Sequence, residues 1–124
     1  MMDVRTWAHT TLMGIFPPEA VFAEAMLSST GVDWPDEFVT FSVIAEVDEG
    51  FADNKNILTD TTVDVKWFGK SLNLKTTRPL EIVQAMKAAG FRPRNRGMDI
   101  SRDPGAVYYG VVMDFVYQQV NFGG

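Results

Sequence analysis

Two runs of alternating residues, Phe38 to Asp48 and Asp60 to Phe68, commit this chain to a fold built on a sheet. From Val39 the odd positions read Val39, Phe41, Val43, Ala45 and Val47. The even ones include Thr40, Ser42, Glu46 and Asp48, with Ile44 the exception. Successive side chains of a strand point to opposite faces, so this period predicts one apolar and one polar face. The second run repeats it, with Thr61, Val63, Val65 and Trp67 set against Asp60, Thr62, Asp64 and Lys66. Between the runs, Glu49 to Ile57 is too long and too polar for a two-residue hairpin turn. A loop held between two firm strands is the first place to seek function.

A third run, Val107 to Gln118, alternates with both faces largely apolar, which predicts a central strand or one packed against another subunit. Three helices are expected around these strands. Residues 3–13 carry apolar side chains at helical spacing behind a capping Asp3, and Gly14 and Pro17-Pro18 stop them. A second helix is expected from Pro18 through Leu27, closed by Ser28 to Gly31. Gly69-Lys70-Ser71 reads as a turn and Leu72 to Thr77 as a polar connector. The third helix then starts with Thr77 or Arg78 as cap and Pro79 in its first turn, and runs to Ala89. Gly90 supplies a left-handed exit, with Phe91 folding back on the helix. Arg92 to Gly105 reads as irregular. The sum is a single α+β domain over residues 1–124, an antiparallel sheet with helices packed on one face. An apolar, aromatic sheet surface left over from that core is a candidate interface.

Composition removes several classes of function. Sixteen acidic residues against 11 basic ones give a net charge of −5, the wrong balance for a free nucleic-acid binder. The cluster Arg92, Arg94, Arg96 and Arg102 reads as a solvated loop or a partner contact. There is no cysteine, and His9 is the single histidine, so thiolate and histidine metal sites lack ligands. Asp48, Glu49, Asp53, Asp99 and Asp103 have no calcium-loop spacing. Gly69-Lys70-Ser71 lacks the upstream glycine of a phosphate-binding loop, because position 64 is Asp64. No nucleophile–base pair stands out. The expectation is therefore a protein that is not an enzyme and carries no cofactor or metal. No apolar run approaches the ~20 residues of a membrane span. Met1 to Trp7 lacks the basic and apolar regions of a signal peptide, which predicts synthesis in the cytoplasm.

The stretch Glu46-Val47-Asp48-Glu49-Gly50-Phe51-Ala52-Asp53-Asn54-Lys55-Asn56-Ile57 resembles a pattern in the tail completion, or tail terminator, proteins of long-tailed bacteriophages. The layout around it is similar too. A strand like Thr62 to Phe68 follows the loop, a helix like Pro79 to Ala89 ends in Gly90-Phe91, and an aromatic strand like Tyr108 to Tyr117 closes the chain. Relatives often carry a histidine entering that strand, where this chain has Val107-Tyr108-Tyr109. The resemblance covers roughly Asp36 to Tyr117. It implies a virion protein made in the host cytoplasm that caps the head-proximal end of the tail tube as a ring, commonly six-fold. The implied partners are other copies of itself, the tail-tube protein and the head connector or neck protein. DNA would pass through the lumen without specific binding, and no membrane is involved.

A ring built head-to-tail needs two different complementary patches on each subunit. The two irregular stretches carry opposite charge signs. Asp48, Glu49, Phe51, Asp53, Asn54 and Lys55 are expected on one side of such a contact, and Arg92, Arg94 and Arg96 on the other. The rival expectation is a monomeric phage-encoded binding module that inhibits a host protein. Self-association separates the two.

Overall fold

A computed structural model describes residues 3–23, 34–50, 56–95, 97–100 and 107–122. Helix α1 spans Val4–Met13. Asp3 caps it by accepting hydrogen bonds from the backbone N–H groups of Arg5 and Thr6, which satisfies donors that the first turn leaves unpaired. Pro18–Ala20 forms one 3-10 turn and β1 follows at Val21–Ala23. The expected second helix is therefore overturned at its start; residues 24–27 lie outside the described region. Helix propensity is a weak preference that tertiary context overrides. Here Val21 is buried, and Phe22 on the opposite face packs edge-on against Trp34 and Phe38.

Strands β2 (Glu37–Gly50) and β3 (Asn56–Gly69) form the long antiparallel pair the alternation predicts. Both run further into the intervening stretch than expected, since Gly50 pairs with Ile57. After the turn at Lys70, α2 runs Leu72–Ala88, followed by β4 (Arg92–Pro93), β5 (Met98–Asp99) and β6 (Tyr109–Phe122). The sheet order is β1-β2-β3-β6-β4, with β5 also on β6. β1 runs parallel to β2 and every other pairing is antiparallel. The sheet is thus mixed rather than wholly antiparallel, because the chain returns after β1 to enter β2 in the same direction.

Helix α2 also corrects an expectation. It begins at Leu72, not near Pro79, because Ser71 caps it by accepting from the Leu74 N–H. Pro79 then lies inside the helix. It is buried, and it removes one N–H that the ladder would otherwise use. The helix end is as read: Gly90 sits at φ 100°, its N–H donates to the Lys87 carbonyl, and Phe91 donates to Met86 and turns its ring into the core.

Both helices cover one sheet face. Val39, Phe41, Val63, Val65, Trp67, Val111, Met113 and Phe115 point into that layer and are buried with Ala8, Leu12, Ile82 and Met86. The Trp7 indole donates to the Ala89 carbonyl at 2.8 Å and locks α1 to the end of α2. His9 stacks on Phe41 at 5.3 Å between ring centroids, a packing role. On the opposite face, one end of the sheet carries an aromatic cluster of Phe22, Trp34, Phe38, Phe68 and Tyr108.

The alternation breaks once. Val43 pairs with Val63, but the next pair is Ala45 with Thr62, so Ile44 is an extra residue in β2. Such a bulge shifts every later side chain to the other face. Ala45 and Val47, expected beside Val39 and Phe41, instead lie on the face opposite the helices, while Glu46 and Asp48 take the helix-side face.

Candidate functional site

Strands β2, β3 and β6 each hold 14 residues, about 46 Å at roughly 3.3 Å per residue. The helical layer does not match that length. It reaches as far as Thr61, which shares a cleft with Asp3, Val4 and Arg5, and Tyr117, which meets the Phe91 ring at 5.0 Å. Past those positions the three strands continue together as an arm. Its faces differ in kind. On the helix side lie Glu46, Asp48, Thr59 and Gln119; on the other lie Val47, Leu58 and Val120. Val47 and Val120 are 60% and 53% exposed, so the arm is not a second core.

The arm has two open edges of different sequence. β1 pairs with β2 only over Val39 to Phe41, and β4 and β5 cover β6 only as far as Val116. Among the described residues no strand pairs with the outer edge of β2 at 42–50 or of β6 at 117–122. Open edges present unpaired N–H and C=O groups and can add a further strand.

Where β4 meets the arm, the face opposite the helices holds a groove of about 550 Å³. Ala45, Val47 and Val116 give it an apolar floor, and Asp60, Arg92 and Arg94 stand around it. β4 is placed by its pairing of Arg92 with Val116 and Pro93 with Phe115, and the Arg94 N–H donates to the Asp114 carbonyl at 2.8 Å. Asp60 accepts from the Gln118 amide at 2.9 Å. Neither Arg92 nor Arg94 makes an ion pair among the described residues.

The candidate residues read from sequence divide accordingly. Arg92 and Arg94 come together at the groove. Asp48 lies on the helix-side face of the arm, accepting a 2.7 Å hydrogen bond from the Thr59 hydroxyl. Glu49 is exposed on the groove side, opposite Leu58. Phe51, Asp53, Asn54, Lys55 and Arg96 lie outside the described residues, as do Arg102 and Asp103. Sequence reasoning missed Ala45, Val47, Asp60 and Val116. The only signal for them was Ile44, the one residue that broke the alternation.

Asp99 is engaged elsewhere, with Lys75 of α2 at 2.9 Å. Among the described residues no three His, Cys, Asp or Glu side chains gather as metal ligands, and no helix is long and apolar enough to cross a membrane. What this region offers chemically is recognition: strand edges that can be extended, and a cationic groove with an apolar floor. The chain matches no protein-family model and no curated protein.

Proposed function

We propose that this is a structural assembly protein of a long-tailed phage or prophage, one that closes a ring at the head-proximal end of the tail tube and joins it to the head connector. The observation that carries the proposal is the β2–β3–β6 arm with its two unlike open edges. A contact between different surfaces, repeated from copy to copy, generates a ring when the rotation closes and a filament when it does not. An arm that extends past its own core gains little from folding alone, since its apolar side chains stay in water. It gains when a neighbour covers them. Here the residues paired at the arm's far end, Glu49 with Leu58 and Leu58 with Val120, mix charge with apolar side chains.

On this reading the partners are further copies of the chain, six in the ring, together with the tail-tube protein and the connector. The protein works in the virion, without catalysis or cofactor, and DNA slides through the lumen past a net-acidic subunit. The test is mass by light scattering over a concentration series, with negative-stain images of the same fractions and then of mixtures with tail-tube subunits. Rings with a central hole, free or on tube ends, are expected. A chain that stays monomeric and neither binds nor caps tubes would refute the proposal and direct work to single-copy binding of a host protein.

A further inference from the structure

The groove beside β4 presents two arginines that make no ion pair among the described residues, above a floor of Ala45, Val47 and Val116. Its complement is an acidic segment on an extended strand. The same chain carries one, Asp48 and Glu49 at the exposed end of β2. Among the described residues these acids make no ion pair with Arg92 or Arg94 of their own groove. Asp48 points to the helix-side face and is held there by Thr59. Glu49 shares the groove's face, two positions or roughly 7 Å beyond Val47 of its floor, but Arg92 stands across β3 and β6 on β4. Unlike charges at two separate places on one chain, with no ion pair among the described residues, suit a heterologous contact between copies.

We propose that the groove takes the acidic end of β2 from a second copy of this chain, setting Asp48 and Glu49 of one subunit against Arg92 and Arg94 of the next. This contact rests on the ring reading and adds to it the surface that fixes which way neighbouring subunits face. Edge pairing along a strand tolerates slippage by two residues, because it is read mainly by the backbone. A charged end seated in a groove does not tolerate such a slip, so it selects one register.

Charge exchange tests it. D48K/E49K and R92E/R94E, each made in the full chain, should weaken self-association by about 100-fold in sedimentation velocity, with the circular dichroism of a folded chain retained. Mixed in equal amounts, the two variants should recover assembly in alternating copies, since each then presents the sign the other's groove or arm needs. A control reversal at exposed Glu19, E19K, alters net charge alone and should leave assembly intact. If wild type forms rings and either double variant forms them equally well, this contact is wrong and the ring reading stands. Loss in both variants without recovery on mixing also overturns the pairing. A wild type that neither self-associates nor assembles on tube subunits removes both readings.

Discussion

Replacing Glu37 by alanine should cost this protein about 2–4 kcal/mol of folding stability, although Glu37 lies at the edge of the core. Its carboxylate does two jobs through one oxygen. It accepts from the Trp67 indole N–H at 2.8 Å and from Arg78 Nε at 2.8 Å. Trp67 is fully buried, so E37A leaves a buried donor unpaired, worth about 1–3 kcal/mol. Arg78 is a quarter exposed and retains Glu81 at 2.7 Å, so the lost pair adds only about 1 kcal/mol. Glu37 also raises the Arg78 pKa, ahead of the smaller contribution from Glu81, but that cation is charged at every pH where the protein folds. The contact matters because it is long-range: it ties the first residue of β2 to the buried indole of β3 and to the middle of α2. E37Q keeps an acceptor for the indole and should cost about 1 kcal/mol. Urea unfolding at pH 7 of wild type, E37A, E37Q, R78A and E37A/R78A gives both the single costs and the coupling. If E37A costs under about 0.5 kcal/mol, or matches E37Q, the indole is not held by this carboxylate and the reasoning fails.

The same corner predicts that G69A destabilises by about 1–3 kcal/mol, measured in the same urea series, because an added Cβ would fall 2.3 Å from the Trp67 ring and push the indole off Glu37. At the N-terminus, hydrogen bonds from the Thr6 side chain and backbone hold the Asp3 carboxyl below its ordinary 3.8. A depressed carboxyl pKa contributes stability that is complete above pH 3.8 and lost as pH falls through the lower folded value. D3N should therefore flatten the acid limb of thermal unfolding between pH 5 and 2, and a limb identical to wild type would contradict the cap. Deleting Ile44 should leave both the Val63 to Trp67 core and self-association intact, since it removes only the unpaired residue and keeps Ala45 opposite Thr62 and Val47 opposite Asp60 on the groove floor. Loss of assembly of that variant by sedimentation would show that the bulge itself, and not only the face on which it sets Ala45 and Val47, is used.

Much of this fold is legible from residue pattern. Val63, Val65 and Trp67 alternate with polar residues and form the buried face of β3. Asp3 and Gly90 mark the helix ends at which they stand. These succeed because the signal is local, a period or a cap. The failures have non-local causes. Val21 and Phe22 look helical within Pro18 to Leu27, but their burial against β2 and Trp34 decides for a strand. Ser71 begins α2 well before the proline that advertises a helix start, because a serine cap is a common residue doing a geometric job. The candidate site was half legible. Arginine clustering pointed to Arg92 and Arg94, but the groove they border exists only because β4 docks on β6. No sequence period records that pairing.

The bulge at Ile44 decides which acids share a face with the arginines: Glu49 does, and Glu46 and Asp48 do not. Before it, the odd residues of β2 face the helices; after it, they face the groove. Were the alternation unbroken, Ala45 and Val47 would join Val43 on the helix-side face, and Glu46 and Asp48 would turn toward Arg92 and Arg94. The groove floor would then be polar. One extra residue exchanges those outcomes. It gives the groove an apolar floor, keeps Asp48 on the opposite face with Thr59, and leaves Arg92 and Arg94 with no ion pair among the described residues. A single subunit cannot relieve that mismatch without undoing the register of 14-residue strands. A second subunit can, by bringing its own arm to the groove. On the proposed contact, the same feature that spoils the strict alternation of the sequence makes assembly, rather than further folding, the way these charges are satisfied.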